Sequence, residues 1–164
     1  MKRILVAYAS KHGSTEEVAR EIASTLRRGG NIVYVHGAET VADLSSYDAV
    51  VLGGALYMGR WHRDARRFIE SHREALARVP FAVFALGPPS MEKEADSREQ
   101  VQHALDRAEV APDCVAIFGG VIDPAKLRFP FNHMPETDQR DWTAIEEWAL
   151  EIAAIVEDQE PVRV

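Results

Sequence analysis

What this 164-residue chain lacks narrows the field before anything it contains. It has one cysteine, Cys114, which excludes an internal disulfide and a cysteine-rich metal centre and suits a reducing compartment. Its six histidines are scattered, with no H-x-x-x-H or H-E-x-x-H spacing, so no metal site is expected. No apolar run is long enough to cross a bilayer. Lys2 and Arg3 precede only a short apolar stretch, too short for the core of a signal peptide, and the expected location is the cytoplasm. An excess of positive charge is also missing. Lys and Arg number 19 against 26 Asp and Glu, a net charge of -7, which argues against nucleic acid as a partner. Two common phosphate-binding patterns, G-x-x-x-x-G-K-[ST] and G-x-G-x-x-G, do not occur at the one place that suits them.

What is present is an alternation of short apolar runs with helical stripes, at a hydrophobic fraction of 46% that is ordinary for one soluble domain spanning 1–164. The first run ends at Tyr8, and a helix follows from about Thr15 to the natural stop at Gly29-Gly30. Further strands are expected over 31–36, 47–52, 81–86 and 114–118. Between them, one helix carries Phe68, Ile69, His72 and Leu76, and another carries Val101, Leu105 and Ala108. The last helix shows Trp142, Ile145, Trp148, Ala149, Ile152 and Val156 as one apolar stripe. Strands alternating with helices predict an α/β fold with a parallel sheet covered on both faces, and ligands then bind beyond the carboxyl ends of the strands.

The segment from Leu5 to Thr15 is the strongest local signal: strand, hydroxyl-rich turn, helix N-terminus. Free backbone N–H groups converge at such a place and the helix dipole favours an anion. Ser10, Ser14 and Thr15 add hydroxyls, and Gly13 lets the backbone come close. A ligand-free alternative is a capping box of Ser14 and Glu17. Three later strands run into glycine, at Gly53-Gly54, Gly87 and Gly119-Gly120, where the backbone would turn sharply or approach a ligand. Cys114 lies in an apolar strand and is expected in the core. A tyrosine-phosphatase loop would need arginine where Gly120 stands. A receiver-type signalling domain would need acidic residues where Ala9-Ser10 and Gly53-Gly54 stand.

Tyr8, Ser10, Gly13 and Thr15, with Ala19 and Ile22 behind them, resemble the FMN phosphate loop of flavodoxins, [ST]-x-x-G-x-T; Ala7 departs from the larger apolar residue usual there. The segment 50–62 resembles the second flavin loop of one flavodoxin-like family, the bacterial menaquinone-dependent protoporphyrinogen dehydrogenases. Gly53, Gly59 and His62 match, Trp61 replaces another aromatic, and Met58 departs from tyrosine. Cys114 to Gly120 and Asp141-Trp142 are also similar to that family. The resemblance implies a flavodoxin-like three-layer sandwich with a five-stranded parallel sheet in the order 2-1-3-4-5. It implies FMN as cofactor, its phosphate held by Ser10, Lys11, His12, Gly13, Ser14 and Thr15. The ring would lie against Gly54, Ala55, Leu56, Tyr57, Met58, Gly59 and Trp61, with Tyr57 and Trp61 as candidates to stack on it. Leu86, Gly87 and Pro88 would border its other end.

The activity implied is electron transfer from a reduced substrate to a quinone, with a carboxylate-bearing, porphyrin-like substrate and peripheral contact with the inner face of the membrane as further implications. The alternatives are an electron-shuttling flavodoxin with a protein redox partner and a cofactor-free interaction module. That family carries a long insertion between the fifth strand and the last helix. Here the connection is shorter and holds Pro124, Pro130 and Pro135. Its Phe129, Phe131 and Met134 are expected either to receive an apolar acceptor or to pack on the last helix. Lys11, Arg60, Arg63, Arg66 and Arg67 cluster in or after the two flavin loops, giving either a basic rim for an anionic substrate or a solvated helix face.

Overall fold

A computed structural model describes residues 1–87, 94–122 and 136–159. The expected segments at Pro88-Pro89 and at 127–134, with Phe129, Phe131 and Met134, lie outside the described residues. In chain order the elements begin with β1 (Arg3–Ala9), α1 (Ser14–Arg28), β2 (Ile32–Gly37), β3 (Ala49–Tyr57) and the short β4 (Arg60–Trp61). Then come α2 (Arg63–Ser71), the single-turn α3 (Arg73–Leu76), β5 (Phe81–Gly87) and α4 (Glu94–Ala108). The chain closes with β6 (Cys114–Gly119), the two-residue strands β7 (Val121–Ile122) and β8 (Thr137–Asp138), and α5 (Trp142–Asp158).

Five strands pair in parallel in the order β2-β1-β3-β5-β6, the expected 2-1-3-4-5 once the short β4 is set aside. Successive strand residues point to opposite faces, so each strand feeds two cores. Ile4, Val6, Val51, Phe84 and Leu86 join α1 and α5, whereas Leu5, Ala7, Val50, Leu52 and Val83 join α2 and α4. Near-continuous apolar strands are the mark of a sheet buried on both faces. In the first core Trp148 of α5 meets Phe84 and Phe118 edge-on, with ring centroids 5.9 and 5.7 Å away.

Four expectations need correction. β3 does not end at Gly53-Gly54 but continues to Tyr57, and β4 folds back against it. The helix expected through Leu76 breaks at His72, whose φ of -112° and ψ of 17° leave the helical region. Trp142 is off the apolar stripe of α5: it is 40% exposed and lies under the guanidinium of Arg140 at 4.8 Å. The capping box of Ser14 and Glu17 does not form, since Gly13 is the N-cap and α1 has no side-chain cap.

Candidate functional site

The loop between β1 and α1 is held open by two local devices. Gly13 has φ +89°, a left-handed conformation that a side chain would strain. The Ser10 hydroxyl oxygen accepts the Gly13 N–H at 2.8 Å, which fixes the turn. The N–H groups of Ser14, Thr15 and Glu16, in the first turn of α1, have no carbonyl to bind within the helix. Thr15 is fully buried, and its Oγ1 has no hydrogen-bond partner among the described residues. A buried hydroxyl without a partner is unfavourable by about 1–3 kcal/mol unless a ligand satisfies it. Lys11 is exposed, while His12, Gly13 and Ser14 are half-buried.

The first turn of α1 also carries two carboxylates, and both are engaged. The Tyr8 hydroxyl interacts with Glu16, which raises the tyrosine pKa and lowers that of the carboxylate, and Arg20 Nε donates to Glu16 Oε2 at 3.4 Å. Glu17 accepts from Arg140 Nη1 at 2.7 Å. Arg140 is the residue that sequence reasoning missed here. It donates from Nε and Nη2 to Asp138 at 3.0 and 2.8 Å, and its side chain is only 10% exposed. No local motif announces it, because its partner on α1 is 123 positions away.

The second wall is the β3–β4 hairpin, paired as Leu56 with Trp61 and Tyr57 with Arg60. Met58 (φ +52°) and Gly59 (φ +78°) form its two-residue tip, as a turn with positive φ at both central positions does. The hairpin presents Tyr57 and Met58, 49% and 72% exposed. Lys11 Nζ stands 5.3 Å from the Tyr57 ring centroid, so the hairpin and the β1–α1 loop meet at one edge of the sheet. Trp61 behaves differently from the expectation. It is 1% exposed and donates from Nε1 to the Gly54 carbonyl at 3.0 Å, so neither ring face is open to stack on a ligand. It supports the hairpin from below, and Arg66 Nε ties down its carbonyl at 2.9 Å.

Gly53 and Gly54 also have a different reason from the expected one. A Cβ at Gly53 would stand 1.9 Å from Phe84 Cζ, and one at Gly54 would stand 2.6 Å from Trp61 Nε1. Both glycines make room for rings. His62 caps α2: its Nδ1 accepts the Asp64 N–H at 3.0 Å. Burial and the nearby Arg63 and Arg66 depress its pKa against the pull of Asp64. Ala55 and Leu56 are half-buried. Leu86 is 3% exposed and belongs to the core with α1 and α5, so it lies beneath the site. Gly87 is buried beside it, and Pro88 is outside the described residues. Burial pushes the Cys114 thiol up to about 11, so it is not a nucleophile at neutral pH. Beside the hairpin, a cavity of about 430 Å³ opens between α2 and α4, edged by Arg60, Arg66 and Arg107 and equally by the carboxylates of Glu70, Asp96 and Glu99. No cluster of potential metal ligands occurs among the described residues, and no described helix is long and apolar enough to cross a membrane.

The model of the flavodoxin domain matches residues 5–134. This chain belongs to the flavodoxin family. The fold comparison agrees. A mutant of the flavodoxin from Pseudomonas aeruginosa superposes with a TM-score of 0.61 at 21% identity, covering 94% of this chain and 99% of that one. The flavodoxin of Streptococcus pneumonia TIGR4 superposes at 0.62 and 19%, covering 93% and 99%. Among curated proteins, protoporphyrinogen IX dehydrogenase [quinone] of Escherichia coli K12 is 24% identical over 176 residues, covering 94% of this flavodoxin-family chain and 97% of the relative. With the family comes the cofactor, FMN. The residues present fit it: the free amides of α1, the left-handed Gly13 and the orphaned Thr15 hydroxyl form a donor set suited to a phosphate.

Proposed function

We propose that this protein is an FMN-dependent oxidoreductase that passes electrons from a reduced, carboxylate-bearing substrate to a quinone-type acceptor; the name of its Escherichia coli relative, a protoporphyrinogen IX dehydrogenase [quinone], supports the dehydrogenase and quinone parts of that reading. FMN would be held with its phosphate on Ser10–Thr15 and its ring beside Tyr57, Met58 and Gly59. When bound it supplies the electron-transfer chemistry, and the protein supplies binding, orientation and electrostatics. Backbone N–H groups and hydroxyls hold the phosphate through charge-assisted hydrogen bonds of about 1.5–3 kcal/mol each, which outweigh a helix-dipole contribution of about 1 kcal/mol.

The observation that carries the substrate class is the charge around the hairpin. Lys11, Arg60, Arg63 and Arg67 are exposed, and none of them has an ion-pair partner among the described residues. Of these, Lys11 stands over the Tyr57 ring and Arg60 pairs with Tyr57 across the hairpin, and cations beside an exposed aromatic and an exposed methionine suit a flat apolar molecule that bears carboxylates. The net charge of -7 makes that local excess selective.

The test is anaerobic turnover of the FMN-loaded protein with protoporphyrinogen and a soluble menaquinone analogue. Quinone reduction is expected. Changing Arg60 and Arg67 together to Gln should raise the substrate KM about three- to tenfold, since each exposed pair contributes up to about 1 kcal/mol. The methyl ester of the substrate should be indifferent to the change. Absence of quinone reduction, with electrons accepted only by a protein partner, would replace this reading with that of an electron shuttle.

A further inference from the structure

We infer that Arg140 is a positioning residue for the FMN phosphate, acting by offsetting part of the negative charge of Glu17 on the first turn of α1; this rests on the reading that the phosphate lies at Ser10–Thr15. Two carboxylates, Glu16 and Glu17, occupy the first turn of the helix that faces the anion. Acidic residues there suit an empty helix N-terminus. They oppose a phosphate at the same end, because each turn of helix advances only about 5.4 Å. A protein that binds FMN through this helix must therefore mask them. Glu16 is masked locally, by the Tyr8 hydroxyl and by Arg20 at 3.4 Å.

Glu17 has no such local partner among the described residues and is served from 123 positions further along the chain. Arg140 Nη1 reaches its Oε2 at 2.7 Å. The guanidinium is itself fixed. Asp138 holds Nε and Nη2, the Arg140 N–H donates to Asp138 Oδ1 at 3.1 Å, and the Trp142 ring lies beneath at 4.8 Å. The segment that carries it is anchored to the sheet: the Gln139 N–H donates to the Gly120 carbonyl at 3.0 Å. A fork already held by Asp138 on one side and the Trp142 ring on its face loses little freedom on meeting Glu17, which is why an arginine suits the position.

The experiment measures binding of FMN and riboflavin to apoprotein at low ionic strength, by quenching of flavin fluorescence. Riboflavin lacks the phosphate and serves as the internal control. Arg140→Gln should weaken FMN about fivefold and riboflavin less than twofold. The difference should close in 1 M salt, where the Debye length is about 3 Å. Adding Glu17→Gln to Arg140→Gln should restore FMN affinity to within about twofold of the parent. Arg140→Lys, which keeps the charge and loses the fork, should fall between the parent and Arg140→Gln for FMN and leave riboflavin unchanged. Equal losses for the two flavins, or no rescue by Glu17→Gln, would reduce Arg140 to a structural tie and overturn the inference.

Should Arg140→Gln fail to fold, Glu17→Gln alone decides. It should leave FMN binding equal or tighter, and weaker FMN with unchanged riboflavin would overturn the inference. Thr15→Val distinguishes the two possible failures. If it weakens FMN selectively and Arg140→Gln does not, Arg140 is excluded and the phosphate site stands. If neither variant separates FMN from riboflavin, the phosphate site falls and Arg140 with it.

Discussion

At Gly53 an added β-carbon would stand 1.9 Å from Cζ of Phe84, a ring already set against Phe118 and Trp148. The aromatic cluster has nowhere to move without disturbing the core shared with α1 and α5. Gly53→Ala should therefore destabilise the protein by about 2–3 kcal/mol, measured as a lower denaturant midpoint at unchanged slope. A loss below about 0.5 kcal/mol would mean that Phe84 yields easily. The same residue shows where sequence reading stops. Two adjacent glycines after an apolar run signal a strand end or a close ligand, because turn chemistry is the usual reason for glycine. Here the reason is a ring on the neighbouring strand, and nothing within 50–57 announces it. Trp61 has the same lesson. Its aromatic character was legible and its direction was not, since that depends on the Gly54 carbonyl that its indole finds.

At the scale of elements, α2 begins on an uncommon cap. The neutral His62 ring accepts the Asp64 N–H through Nδ1, a bond that a proton on that nitrogen would abolish. Burial depresses the folded pKa below the ordinary value of 6.5. A histidine that binds its proton less readily when folded contributes stability that is fully present above the unfolded pKa. That contribution is lost as pH falls from about 6.5 toward the lower folded value. A cap contributes about 1 kcal/mol, so the parent should lose about that much over this window relative to His62→Asn, which caps without titrating. Parallel pH profiles for the two proteins would show that the cap does not respond to protonation. The hairpin was only half legible. The Met58-Gly59 tip resembled a flavin loop, but a non-glycine residue at φ +52° is rarely foreseen from sequence. The break at His72 was invisible because the apolar spacing of Phe68, Ile69 and Leu76 continues across it.

At the scale of the molecule, the five parallel strands followed from hydrophobic runs, since a sheet buried on both faces writes its strands as uninterrupted apolar segments, whereas their order came from the resemblance of the two flavin loops. The β1–α1 loop was equally legible, because strand, loop and helix start are contiguous in the chain. Long-range pairs were not. Arg140 meets Glu17 only because α5 packs beside α1, and the glycine at 119 packs against Gln139 for a similar reason. These contacts are products of the fold, and the Arg140–Glu17 pair lies on the first turn of the helix where the cofactor phosphate is proposed to sit. Titration of FMN and of riboflavin into apoprotein, for the parent and for Thr15→Val, tests that placement most directly. The parent should bind FMN at least about tenfold more tightly than riboflavin, the equivalent of one charge-assisted hydrogen bond or more. In Thr15→Val that gap should narrow severalfold, while the apoprotein keeps or gains stability because a buried hydroxyl without a partner is gone. Equal affinity of the parent for the two flavins, or a gap that Thr15→Val leaves unchanged, would contradict a phosphate held at this loop.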